Sequence, residues 1–181
     1  MRYLLIGWLV FFNVACSVTG KQPALHDFGS TAPPPAQQGK ASVNVNAPTW
    51  LWDSRIRYRL LFSSPSEVRF YGLDRWIASP PELFEQLLNV STKARNCVLI
   101  IRLQDFEQQF EAADRARVML RFFAEVYSVD NKQKIGEQAF YLQQPAKTPD
   151  AAGAVEGFID LARQAVKKID IFVAGLPGRQ D

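Results

Sequence analysis

Histidine is almost missing from this sequence: His26 is the only one among 181 residues. Its place in a stretch rich in Pro, Gly and Ser leaves the body of the chain without a Ser-His-acid arrangement or a His-rich zinc site. No glycine-rich loop runs into Lys and Ser or Thr, so the cradle that ATP hydrolysis needs is not encoded. The formal charge is only +3, with basic and acidic residues mixed. That spread excludes the concentrated positive field of a nucleic-acid binder. Long apolar runs are scarce as well. The stretch from Tyr3 to Phe12 would cover about 15 Å as a helix, roughly half the hydrocarbon thickness of a bilayer, too little for a good span. There is no internal repeat.

Against these absences, 48% of the residues are hydrophobic and 12% aromatic. At this length that supplies one domain with a real core and is short for two. The amino-terminal end has Arg2, then the apolar stretch, then small or polar residues before Cys16. This is the layout of a secretory signal peptide over residues 1–15. Three readings of Cys16 compete: lipid attachment, a secreted chain cut near Ser17 and Thr19, and a retained anchor helix. Val14, Ala15 and Cys16 resemble the lipobox of bacterial lipoproteins, which favours lipidation of Cys16. Several acyl chains on one sulfur-bearing residue would hold the protein firmly at a bilayer. In such lipoproteins of Gram-negative bacteria an Asp after the Cys commonly marks inner-membrane retention. Ser17 stands there instead, which implies the outer membrane, periplasmic face. A bridge from Cys16 to Cys97 would tie the export signal to the core. Cys97, in the apolar "NCVLIIRL", is expected instead as a buried thiol.

Residues 16–40, the lipidated Cys and the Pro-, Gly-, Ser- and Gln-rich stretch after it, read as a flexible tether with a reach of roughly 25 to 30 Å. Within it "LHDFG", residues 25–29, is a candidate short edge strand. Residues 41–175 form the domain and 176–181 a disordered tail. Period-two patterning predicts strands in "SVNVNA" through Val43 and Val45, and in "RIRYRLLF" with Ile56, Tyr58, Leu60 and Phe62 on one face and Arg55, Arg57 and Arg59 on the other. "SSPS" predicts a turn into "EVRFYG". Ser79, Pro80 and Glu82 open a helix with Leu83, Phe84, Leu87 and Leu88 on its apolar side. Two long strands flank a polar turn near residues 111–114. The second puts Ala116, Val118, Leu120, Phe122, Ala124 and Val126 on one face. "DNKQ" turns into a strand through Ile135, Phe140 and Leu142. A last helix starts at Thr148 and ends at Gly175, with Val155, Phe158, Ile159, Ala162, Val166 and Ile169 at helical spacing. The fold class is α+β: a single domain with a mainly antiparallel sheet and two or more helices packed on one face.

Asp105, Glu107 and Glu111 share one side of a strand, where a hydrated face is the expectation rather than an acid-base pair. No catalytic residue, metal ligand or cofactor site is identified, and a noncatalytic protein is expected. Residues 47–89 gather Trp50, Trp52, Tyr58, Tyr71 and Trp76 with Arg55, Arg57, Arg59, Arg69 and Arg75. Such a set either fills a core and solvates a sheet or builds an interaction surface.

These residues also carry a family resemblance. "HDFG", "APTWL", "IRYRLLF", "RFYGLDRWIASPPELF" and "CVLIIRLQDFEQQF" resemble the auxiliary lipoproteins of ABC-type lipid transport systems, the paraquat-inducible protein C-like group. The likeness runs from about residue 25 to residue 173. Its most specific piece is Arg69, Tyr71, Arg75, Trp76, Pro80 and Pro81. The resemblance implies a noncatalytic, outer-membrane-anchored component that meets a mammalian-cell-entry domain protein, itself served by a permease and an ATPase. It implies Arg69, Tyr71, Arg75 and Trp76 as candidates for docking that partner or for self-assembly into a homo-oligomer. A periplasmic lipid-binding carrier, or an assembly lipoprotein of another envelope complex, is the alternative.

Overall fold

A computed structural model of the chain describes residues 20–29, 42–91, 97–130 and 132–176. The signal segment, Cys16 and residues 177–181 lie outside them. One sheet of seven strands carries both helices on a single face. The strands are β1 (Ala24–His26), β2 (Ser42–Asn46), β3 (Arg55–Leu60), β4 (Ser64–Trp76), β5 (Cys97–Ala112), β6 (Arg115–Ser128) and β7 (Lys134–Pro145). The helices are α1 (Pro80–Ser91) and α2 (Ala151–Ala174). Along the sheet the order is β1-β4-β3-β5-β6-β7, with β2 beside the first half of β5. The long antiparallel ladders β5–β6 and β6–β7 dominate. Three short parallel pairings, β1–β4, β2–β5 and β3–β5, make the sheet mixed.

Strand β5 organises the domain. Its length lets one edge serve β2 at residues 98–102 and β3 at 108–110. A register shift between Leu103 and Asp105 switches its inward side chains from Leu99, Ile101 and Leu103 to Phe106, Gln108 and Phe110. On β6 the expected face of Ala116, Val118, Leu120, Phe122, Ala124 and Val126 is buried throughout. Phe84 of α1 meets Phe122 edge-on, and Phe158 of α2 stacks on Phe106 at 4.0 Å. Both helices therefore seal the same side of the sheet.

The helix starts follow local chemistry. The backbone N–H and hydroxyl of Ser79 both donate to Glu82 Oε2, at 2.8 and 2.6 Å, and Pro80 takes the first helical position. Helix α2 begins three residues after the expected Thr148, because Asp150 is the cap: its Oδ1 accepts from Gly153 N–H at 2.9 Å and from the Thr148 hydroxyl at 2.6 Å. Those two bonds hold the Asp150 carboxyl below its ordinary value of 3.8. A depressed carboxylate stabilises the fold above the ordinary value and loses that contribution as pH falls through the depressed one. Asp150→Ala should therefore cost about 1 kcal/mol at neutral pH, and urea melts should show the difference vanishing in acid below the ordinary carboxylate range.

Gly157 explains how α2 comes so close to β6. A Cβ there would sit 2.7 Å from Val118 Cγ2, and Val118 is fully buried on a strand that cannot yield. Gly157→Ala should lower stability by about 2 kcal/mol, seen as a lower urea midpoint at unchanged slope.

Three further expectations need correction. Phe62 does not share the Ile56 face, since the hairpin turns at residues 61–63 and leaves Phe62 exposed. The "SSPS" turn is displaced the same way, with Ser64 to Ser66 already in β4. The strand expected through Ile135, Phe140 and Leu142 is β7, whose plain alternation puts Phe140 and Leu142 inward and Ile135 on the opposite, exposed face. The side of β5 with Asp105, Glu107 and Glu111 is not uniformly hydrated. Glu107 is buried, gripped by Arg59 through Nε and Nη2 at 3.1 and 3.2 Å, by Gln109 Nε2 at 2.8 Å, and by Arg57 at 3.6 Å. Asp105 pairs with Arg121, and Glu111 with Arg115 and Arg117. Cys97 is buried as expected.

Candidate docking surface

Strand β4 brings the candidate residues onto one element, but its neighbours sort them. Trp76 is 2% exposed. Its ring lies 5.4 to 5.9 Å from Phe28, Phe106 and Phe158, all in edge-on contact. A side chain so enclosed cannot touch a partner, so Trp76 acts by fixing the strand that carries the others. Tyr71 is half-buried. Its hydroxyl donates to Gln108 Oε1 at 2.6 Å and its ring lies 4.7 Å from Tyr58. Burial pushes the Tyr71 phenol above its ordinary value. Gln108 passes the link on, donating to the carbonyl oxygen of Asp150 at 3.3 Å. One hydrogen-bonded chain thus connects β4, β5 and the start of α2.

Arg69 and Arg75 point outward and differ in pairing. Arg69 Nη2 meets Glu67 Oε2 at 2.9 Å, and that carboxylate raises the guanidinium's affinity for its proton. Arg75 stands opposite Arg55 on β3 and Leu25 on β1. Arg55 is forked onto Asp53 and lies over the Phe70 ring at 3.8 Å. Arg75 has no ion pair with a carboxylate among the described residues and acts on Asp53 only at longer range. Trp50 and Trp52 are exposed beside a 3-10 turn, Thr49–Leu51, with Trp52 Nε1 donating to the Ala47 carbonyl.

The expected edge strand in the tether is present, and it changes the picture of the tether. Residues Ala24–His26 pair in parallel with Asp74, Arg75 and Trp76, His26 Nε2 meets Asp74 Oδ1 at 2.9 Å, and Phe28 enters the core. Among the described residues the sheet therefore begins at Ala24, and seven residues, 17–23, separate it from Cys16 in sequence. Beside β1 lies an open groove of about 300 Å³ whose apolar wall is Leu25, Ile77, Val155 and Ile159. Gly29, with a positive φ of 73°, lines the groove as well. Sequence reasoning missed this groove, because its walls come from three separated segments. The one available signal was a single phenylalanine, Phe28, within a stretch otherwise poor in large apolar residues.

No family model matches the chain, and no curated protein matches it. Solved structures do share its fold. A protein from Xanthomonas campestris assigned to DUF330 superposes with a TM-score of 0.63 at 16% identity, covering 82% of this chain and 90% of that one. An uncharacterized protein gives 0.62 at 12% identity, covering 83% and 97%. A candidate lipoprotein from Caulobacter crescentus overlaps 52% of this chain and 80% of its own, at 13% identity and a TM-score of 0.42. At these identities the first two likenesses are of fold, and the third is too partial to add to them.

Proposed function

We propose that this is a lipid-anchored, noncatalytic auxiliary component of an ABC-type transport system for lipids or other hydrophobic compounds. It is held at the periplasmic face of the outer membrane through Cys16, and it docks a mammalian-cell-entry domain protein that works with a permease and an ATPase. One observation carries the reading. The dispersed motifs behind the family resemblance fall on neighbouring strands of one sheet: "HDFG" starts at His26, the last residue of β1, "RFYGLDRW" lies in β4, most of "IRYRLLF" in β3 and "CVLIIRLQDFEQQF" in β5. Motifs that form one structural block support a shared role better than scattered matches.

Arg69 and Tyr71, on the length of β4 that β1 leaves uncovered, are the side chains assigned to partner docking. A guanidinium beside a close, tilted tyrosine pair offers forked hydrogen bonds and broad contact area. Native pulldown from membranes followed by mass spectrometry tests the reading. Recovery of a permease and an ATPase, lost in Arg69→Glu, is the expected outcome. Recovery of a secretion or peptidoglycan apparatus instead would replace the reading with that of an assembly lipoprotein.

The groove beside β1 favours a second reading, a carrier that accepts lipid. About 300 Å³ is at the low end for a ligand site and open to solvent. Lipid co-purifying at one per chain would support the carrier, whereas a docking module comes out empty.

A further inference from the structure

Three exposed aliphatic side chains crowd the β1/β4 edge. Leu25 is 63% exposed, Ile77 62% and Leu73 50%. Leu25 lies in register with Arg75, Leu73 is two residues before Arg75 on the same strand, and Ile77 two residues after it. Leu25 and Ile77 also form the rim of the groove against Val155 and Ile159 of α2. Exposed aliphatics this close together around one cation are not solvated by chance as single surface residues are.

The charges at the edge are equally particular. Asp74 is taken by His26, and Asp27 accepts from the Gly29 N–H. Arg75 and the exposed Lys21, three residues ahead of β1, have no ion pair with a carboxylate among the described residues. The edge therefore presents apolar carbon together with two cations, Lys21 and Arg75, that are free of such pairs, beside the hydrogen-bonded carboxylates of Asp27 and Asp74. That combination complements a bilayer interface, where anionic headgroups lie above acyl chains.

Chain length then fixes what can reach this edge. Ala24 is eight residues from Cys16, and eight residues cannot span more than about 28 Å even fully extended. In sheet order β7 is five strands away from β1, a further distance of about 24 Å. Whatever surface holds Cys16 is within reach of the β1 edge, while β7 can lie beyond it.

We infer that the β1/β4 edge rests on the bilayer that holds the Cys16 acyl chains, with Leu25, Leu73 and Ile77 at the lipid boundary and Lys21 and Arg75 among anionic headgroups. The inference rests on the lipid anchor proposed at Cys16. It places the sheet upright on the membrane, its β7 edge facing away, instead of swinging on a long leash. The groove is then a continuation of the membrane-facing surface and not an isolated ligand site.

The test uses the full, acylated protein reconstituted into vesicles of phosphatidylethanolamine and phosphatidylglycerol. Cys97 is buried, so an environment-sensitive fluorophore can be attached to Leu73→Cys or Ile77→Cys, with Gln138→Cys on β7 as the distal control. Lipids brominated near the headgroup end of their chains should quench the Leu73→Cys and Ile77→Cys probes by about half and leave the Gln138→Cys probe unchanged, as expected for an edge seated at the acyl boundary. Leu25→Asp, an exposed position, should restore most of the Leu73→Cys fluorescence. Flotation of the same samples reports the anchor separately. Floating protein with unquenched or uniformly quenched probes overturns the membrane-seated edge and leaves the anchor standing. Protein that does not float overturns the anchor and the inference with it.

Discussion

Trp76→Ala should cost about 4 kcal/mol of folding stability, while Arg75→Ala, one residue away, should change it by no more than about 0.5 kcal/mol. The indole is 2% exposed and ringed by Phe28, Phe106 and Phe158. Removing it leaves a cavity where β1, β4, β5 and α2 meet, none of which can close onto the space without losing register. It also frees Phe28, the core residue that pins the β1 segment. Because domains of this kind are stable by only about 5 to 15 kcal/mol, such a loss is a large share of the total. Urea unfolding followed by near-ultraviolet circular dichroism would read both variants. A mild effect at Trp76 would show that the ring is not a core element. The contrast also separates the two halves of the Arg-Trp pair: the arginine is available to a neighbour and the tryptophan holds the arginine in place.

The second large effect is expected at Glu107. This carboxylate is the shared counter-charge of Arg57 and Arg59, whose side chains are 11% and 21% exposed. Arg59 takes it bidentately, so Arg57 depends on what remains, and its Nε is buried without a hydrogen-bond partner. Desolvation already lowers the Arg57 guanidinium's hold on its proton, with Glu107 the main opposing influence. Glu107→Gln would leave two largely buried cations facing each other. The expected loss is about 3 kcal/mol, the usual cost of breaking a buried pair by removing one partner. Arg57→Leu in the same chain should recover part of it, because the uncompensated charge goes with the side chain. A double-mutant cycle in urea measures the coupling. Equal losses in the single and double variants would mean that the carboxylate packs rather than neutralises.

Much of the fold was legible because it is written in local periodicity. The alternation from Ala116 to Val126 could only be a strand buried on one side, and Ser79, Pro80 and Glu82 marked a helix start by their own chemistry. What escaped depends on events between elements. The register shift at Leu103 and Asp105 reverses which side chains of β5 face inward, and no local pattern announces it. Glu107 looked like a hydrated residue, since its burial comes from arginines on β3, 48 residues away in sequence for Arg59. The start of α2 moved from Thr148 to Ala151 because Thr148 and Asp150 can both cap, and it is Asp150 that accepts the Gly153 N–H.

The candidate surface was legible in its residues and not in its orientation. Arg69, Tyr71, Arg75 and Trp76 do lie on one strand, yet strand spacing alone places Tyr71 and Arg75 on the same side as Arg69. The irregular stretch of β4 opposite Arg55 and Arg57 breaks that alternation, so the pairings on either side decide exposure. In the sequence Leu25 stands out only as part of a candidate strand and Ile77 not at all, because isolated aliphatics in loop-like segments are ordinary. They gain meaning only when β1 brings them beside Arg75 at an edge that begins eight residues from Cys16.

The whole account depends on a covalent lipid at Cys16, and intact-mass spectrometry of the protein extracted from membranes measures it directly. The predicted result is a chain beginning at Cys16 that carries the added mass of a diacylglycerol and a further acyl group, with Cys16→Ser unacylated and recovered in the soluble periplasmic fraction. A membrane-extracted chain that retains residues 1–15, or that begins beyond Cys16 with no added lipid mass, would contradict it.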